Sequence, residues 1–316
     1  SFGTLDGFAI VTGLRERNFY GTGRSLDILL NTSDDRNQFK LITTDRLSYE
    51  NDADISYSIN YKQEDFSKAS SYNLDTFTSG IGIGYGINNN LYHNIDFEYA
   101  LKDYKITNSS TVSSTILNSS GSNISYLFKN NLRYSTLNRG FIPKTGNYIN
   151  FNNTIETPTS SNNGFVRNLV TLKKYFSGNN SIYAIHGKIG SIFSLNNNDI
   201  LTDDKFNLGG RSLRGFDIYG AGPRNSRTSY IGGNNLAVLK LDYSYEITRK
   251  SDFPFYLNVF NDYGLIWENK TAPTQSDNNI RSSVGFGIKY YSPVGPIGFT
   301  WGFPIMDEEY DIKRMF

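Results

Sequence analysis

The chain has 316 residues, 31 Lys and Arg against 30 Asp and Glu, 23 Tyr, 22 Phe, 29 Gly, 8 Pro and no Cys. Near-neutral charge removes any bulk electrostatic argument for nucleic acid, missing cysteines exclude a disulfide framework and a Cys-ligated metal, and no apolar run of ~18 residues offers a transmembrane helix. Abundant aromatics with few helix formers favour strands, and the length suits either two soluble domains or one large barrel.

Taken in chain order, strands are predicted near 1–4, 8–18, 24–32, 36–44, 53–63, 76–87, 91–104, 122–136, 147–157, 164–176, 181–194, 234–247, 255–267, 280–291, 296–303 and from 313 onward. Their signal is period two. Ile55, Tyr57, Ile59 and Tyr61 alternate with Ser56, Ser58, Asn60 and Lys62. Ile95, Phe97, Tyr99 and Leu101 alternate in the same way with Asp96, Glu98, Ala100 and Lys102. Between these two, Gly80, Gly82, Gly84 and Gly86 alternate with Ile81, Ile83 and Tyr85. That spacing is not the GxGxxG of a phosphate loop; small residues on one strand face leave room for an inserted loop or for curvature. Further on, Ile280, Val284, Phe286, Ile288 and Tyr290 oppose Arg281, Ser283, Gly285, Gly287 and Lys289.

The runs exceed the ~5–6 residues common in soluble sheets and reach the ~9–11 that a tilted membrane strand needs. An apolar, aromatic face backed by a charged one is the pattern of a barrel in lipid. The fold class is therefore all-β: a transmembrane antiparallel β-barrel of about sixteen strands, an even number as bacterial barrels require. Short links such as 88–90, 178–180 and 292–296 contrast with long polar ones at 105–121, 196–233 and 268–279. Trp267, Trp301 and the tyrosines read as interfacial belts.

The longest link carries Gly209-Gly210-Arg211-Ser212-Leu213-Arg214-Gly215-Phe216 and then Gly222-Pro223-Arg224. On the strands after it, Asp242 is in phase with Val238, Lys240 and Ser244, and Asp262 alternates against Val259, Tyr263 and Leu265. Both carboxylates should face the lumen. Arginine suits such a pair because its planar fork meets carboxylates bidentately and stays charged. An enzyme finds little footing here. His93 should face outward and His186 the lumen, without a nucleophile arrangement or ligand spacing, so no catalytic residue, metal or cofactor is assigned. Asn196 to Asp199 and Thr202-Asp203-Asp204 have calcium-like composition but read as solvated loop tips.

Three segments carry a family resemblance. Leu137-Asn138-Arg139-Gly140-Phe141-Ile142-Pro143-Lys144-Thr145-Gly146 resembles an arginine-glycine-aromatic turn ending in Pro-x-x-Gly; Asn207 to Asn225 resembles a sixth extracellular loop with its Leu-Arg-Gly-Phe motif; Gly285 to Pro304 is similar to a penultimate hairpin. In this order they resemble the barrel of the BamA family, the outer-membrane β-barrel assembly factors of the BamA/TamA/Sam/Toc insertase superfamily. The resemblance implies that the loop folds into the lumen and that Arg214 pairs with the acidic residues at Asp242 and Asp262. The first departs from better-known members, which have glutamate there. Leu213, Gly215 and Phe216 complete the motif, with Gly209, Gly210 and Gly222 as loop glycines. Arg139, Gly140, Pro143 and Gly146 form either a plain tight turn, Pro fixing φ and Gly accepting a positive one, or a contact surface for periplasmic partners.

The implied function is folding and insertion of client β-barrels into the outer membrane of a diderm (Gram-negative) bacterium, through a seam between the first and last strands. A TamA-like assembly factor or a two-partner secretion transporter is the alternative. Implied partners are outer-membrane lipids and lipopolysaccharide, nascent barrel clients and periplasmic lipoproteins of the assembly complex, with no nucleic acid. Residues 1–316 are then a single transmembrane β-barrel domain, a fragment whose upstream POTRA domains and most of whose last strand are missing.

Overall fold

The computed structural model describes residues 2–3, 7–8, 10–48, 53–138, 142–159, 164–196, 199–225, 229–248, 253–268, 279–292 and 295–316. Strands form where the alternation is longest. They are β1 (Phe2–Gly3), β2 (Gly7–Phe8), β3 (Ile10–Glu16), β4 (Ser25–Thr32), β5 (Arg36–Ser48), β6 (Ala53–Asp65), β7 (Tyr72–Asn88), β8 (Leu91–Ile106) and β9 (Gly121–Ser135). They continue as β10 (Gly146–Glu156), β11 (Phe165–Gly178), β12 (Ser181–Ser194), β13 (Gly215–Phe216), β14 (Asn235–Glu246), β15 (Phe255–Trp267), β16 (Arg281–Ser292), β17 (Gly295–Met306) and β18 (Lys313–Arg314).

Fourteen of these make one sheet in the order β17-β16-β15-β14-β12-β11-β10-β9-β8-β7-β6-β5-β4-β3. Each is antiparallel to its neighbour in the sheet, as β14 is to β15 and β15 to β16. The result is an up-and-down barrel. Of the sixteen segments expected, fourteen lie in this sheet; β1 pairs with β2, and β18 pairs with β13 inside the long loop. Boundaries follow the sequence pattern closely. The strand expected over 76–87 starts earlier, at Tyr72, because Tyr72 and Leu74 are buried at the loop end against Phe66, Tyr104, Val112, Ile116 and Leu201.

Burial is inverted relative to a water-soluble sheet. On β12 Tyr183, Ile185, Ile189 and Phe193 face out while Ile182, Ala184 and Ile192 are buried. On β17 Ile297, Phe299, Phe303 and Ile305 face out likewise. These apolar rows fit hydrocarbon, where every strand backbone group must pair within the barrel. No helix among the described residues is long and apolar enough to cross a membrane.

The alternating glycines of β7 have a different use from the one expected. A Cβ on Gly82 would run into Asp96 and Ser56, one on Gly84 into Tyr92, and one on Gly80 into Glu98, so their space is filled by side chains of the flanking strands and not by the loop.

The two ends differ. At one, Asn88 Oδ1 accepts the N–H groups of Asn90 (2.9 Å) and Leu91 (3.0 Å) in a tight turn, and Asn180 turns with φ +53°. At the other end the 107–120 link includes a short helix, Ser114–Asn118. Ser113 caps it through Oγ, and Ile116 is buried beneath.

Candidate functional site: the arginine loop in the lumen

The link between β12 and β14 folds back into the barrel because it is amphipathic in its own way. Phe206, Leu208, Leu213, Phe216 and Ala221 of the loop join Phe165, Ile192, Leu236, Val238 and Ile266 of the wall in one buried cluster. Removing that area from water is favourable at roughly 25 cal/mol per Å². Tight winding needs the glycines: Gly209 and Gly222 both hold φ +125° and Gly210 φ +55°, and a Cβ on Gly222 would stand 2.7 Å from the Ile266 side chain.

The wall presents Asp242 on β14 and Asp262 on β15 to the lumen, and Arg214 lies between them. Its backbone N–H donates to Asp262 Oδ2 (3.1 Å), Nε to the same oxygen (2.7 Å) and Nη2 to Asp262 Oδ1 (2.5 Å). Nη1 donates to Asp242 Oδ1 (2.8 Å) and Nη2 to Asp242 Oδ2 (3.2 Å). The guanidinium also covers the Phe260 ring, 3.5 Å from its centroid. One fork thus meets both carboxylates bidentately over an aromatic face. The shorter Asp242 reaches it directly, with Asn258 Nδ2 donating to Oδ1 at 3.1 Å.

Asp262 is wholly buried, and Lys240 supplies a second cation 3.6 Å from it. That ammonium also donates to Arg211 O at 2.6 Å. Burial would lower the pKa of Arg214, but the hydrogen bonds to Asp262 and Asp242 outweigh it and leave the value raised.

Asp203 and Asp204 correct the sequence reading: they are not solvated tips. Lys102, from β8 on another part of the wall, donates to Asp204 Oδ1 (2.8 Å) and Oδ2 (3.0 Å) and to Asp203 Oδ2 (3.4 Å). Tyr104 Oη donates to both Asp203 oxygens at 3.0 Å. Glu156 of β10 stands 3.8 Å from the ammonium. Lys102 and Glu156 are buried, 7% and 2% exposed, so three carboxylates crowd one cation out of water. Burial raises the Asp204 pKa to about 8, Asp203 and Glu156 adding to the shift and Lys102 opposing it. The loop is therefore fastened twice, to β14 and β15 through Arg214 and to β8 through Lys102.

A third buried pair escaped the sequence reading. Arg281 Nε donates to Asp311 Oδ2 (2.9 Å) and Nη2 to Oδ1 (3.2 Å), at 1% and 0% side-chain exposure. Alternation alone puts Arg281 on the lumen face, but no local pattern marks a partner thirty residues away.

The turn residues divide. Arg139 and Gly140 lie outside the described residues. Gly146 holds φ +111°, and Asn138 Oδ1 accepts the N–H groups of Lys144 (2.8 Å) and Thr145 (2.9 Å), directly after Pro143. His93 meets Tyr85 (2.8 Å) and His186 meets Tyr175 (3.1 Å). Trp301 stacks on Phe286, centroids 5.3 Å apart.

A membrane barrel holding an arginine loop on two lumen carboxylates defines a class of outer-membrane protein. Residues 18–316 match the model of the Omp85 superfamily domain, and the chain belongs to that superfamily. Among curated relatives it is 26% identical, over 96% of its length, to an outer membrane protein assembly factor BamA of Nitratidesulfovibrio vulgaris. It is 30% identical over 42% of its length to a SAM50-like protein of Schizosaccharomyces pombe. It spans 38% and 29% of those relatives. The BamA of Haemophilus ducreyi lacking POTRA domains 1–3 shares the fold over 100% of this chain and 67% of that one, with TM-score 0.88 and 22% identity. CdiB from Escherichia coli shares it at TM-score 0.69 and 13% identity, over 99% of this chain and 59% of that one. The chain is thus an outer-membrane β-barrel of the Gram-negative envelope.

Proposed function

We propose that this barrel is the membrane part of an assembly factor that folds and inserts client β-barrels into the outer membrane. The observation that carries the reading is the arginine fork on Asp242 and Asp262 in a BamA-like barrel. It supports a reading in which a fixed lumen loop holds the wall while the seam between first and last strands gives way. Among the described residues, β3 and β17 end the sheet without a ladder between them. A client strand adding at such an edge would satisfy backbone groups that lipid leaves unpaired at several kcal/mol each. No nucleotide is needed, since client folding supplies the driving force.

In this reading the upstream part of the protein carries POTRA domains and lipoproteins of the assembly complex attend it, with lipids and lipopolysaccharide around the wall. A two-partner secretion transporter is the competing reading; the CdiB structures share the fold alone. Depleting the full-length protein in its host and scoring folded barrels by heat-modifiable gel mobility separates the two. Collapse of many unrelated barrels is expected. Normal barrels with loss of one secreted protein would assign it to secretion instead.

A further inference from the structure

The segment after β17 is hydrogen-bonded on two sides. Met315 O accepts from Gly302 N on β17 (2.8 Å), and Phe316 stacks on Trp301 (5.2 Å) and Phe299 (6.3 Å), so the end of the segment meets β17 at these residues. Its opposite side faces the arginine loop. Ile312 O accepts from Asp217 N and Ile312 N donates to Gly220 O, both at 2.9 Å, and the antiparallel register continues as Phe216 with Lys313 and Gly215 with Arg314. Arg314 Nη1 stands 3.4 Å from Asp217 Oδ1. Backbone groups of a strand point alternately to its two neighbours; here Met315 serves β17 while Ile312 serves the loop.

The approach is close. Gly215, at φ +91°, lies against Gly302, and a Cβ on Gly302 would stand 2.7 Å from Gly215 N. The adjoining turn is fixed by Arg281 on Asp311, whose Oδ2 also accepts from Glu308 N at 2.9 Å. The residue next to Gly215 is Arg214, tied to Asp242 and Asp262.

We propose that the arginine loop caps the loop-facing edge of the 312–314 segment, and that the Arg214 ion pairs set how firmly the cap holds. An open strand edge invites pairing with any extended chain. In the loop's place a second extended strand would find the same backbone donors and acceptors, so the partner this edge fits is an extended polypeptide that must first displace Gly215 to Gly220. Arg214 then acts as a positioning residue for the edge, through the loop. That the displacing chain is a barrel client rests on the assembly reading above.

The sequence has no cysteine, so the pair Asp217→Cys with Ile312→Cys in the full-length protein gives one defined disulfide. Its rate of formation under mild oxidant is scored only in the folded, heat-modifiable band, with client assembly measured before and after reduction. Ready closure is expected with Arg214, at least about tenfold slower closure with Arg214→Ala, and an intermediate rate with Arg214→Lys. If Arg214→Ala yields no folded band, Gly302→Ala replaces it, pressing on Gly215 and the Arg214 backbone from β17, and the same slowing is expected. The locked form should assemble clients at least about tenfold more slowly than the reduced form. Failure of the pair to close, a rate indifferent to Arg214 and Gly302, or a locked protein that assembles clients at full speed overturns the cap. A reduced protein that assembles no clients while the rates keep their order leaves the cap standing and removes the assembly reading.

Discussion

Lysine can replace Arg214 only in part, for a geometric reason. Its fork makes separate bonds to Asp262 and Asp242, whereas an ammonium is a point donor that cannot lie flat on Phe260. Asp262 is wholly buried, and stranding one member of a buried pair costs ~3–5 kcal/mol. Arg214→Ala should lower the barrel's unfolding free energy by about that amount, and Arg214→Lys should recover part of it. Urea titration followed by heat-modifiable mobility reads both, and wild-type midpoints for the two would rule out the anchor. Lys102 poses the same problem with the signs reversed, because its removal leaves Asp203, Asp204 and Glu156 together. Lys102→Met should be strongly destabilising, and Asp203→Asn in the same chain should restore part of the loss.

At the scale of elements, the strands were legible and the loop only in part. Period-two patterning locates β6, β8 and β16 and the faces of Asp242 and Asp262, because a strand's side is fixed by counting residues. Resemblance supplied the lumen path of the loop. Nothing local in Thr202-Asp203-Asp204 tells that Lys102 meets it about one hundred residues away in sequence, and the same holds for Arg281 and Asp311; such pairs exist only once the barrel brings the strands and loops together. The glycines of β7 show the converse limit: a small-residue stripe says that space is needed, not whose side chain takes it.

The second anchor should respond to pH. The folded-state pKa of Asp204 is raised to about 8 from an ordinary value near ~3.9. The proton is thus bound more tightly in the folded state, and the stability this brings is complete below ~4 and lost as pH rises through about 8. Between pH 5 and pH 8 the wild type should lose stability relative to Asp204→Asn, which cannot titrate there. Parallel urea midpoints for the two proteins across that window would contradict the burial that raises the group.

For the whole molecule, the inverted distribution of apolar side chains makes solvent part of the fold. Ile185 lies within β12, four residues from its short-turn end, and Tyr245 of β14 pairs with Ser181 at that end; both face outward, at 42% and 38% exposure. In water either position would accept lysine at little cost. In a bilayer the cost depends on depth, since a charge at the midplane must be desolvated while one near the headgroups reaches water along its own stem. Ile185→Lys should therefore destabilise the folded barrel by ~2–4 kcal/mol and Tyr245→Lys by about 0–1 kcal/mol, measured as reversible unfolding in lipid vesicles. The difference should shrink in vesicles of shorter acyl chains, because a thinner core brings Ile185 nearer to water while the strand lengths stay fixed. Equal penalties at the two positions in both lipids would mean that the outward rows meet something other than hydrocarbon.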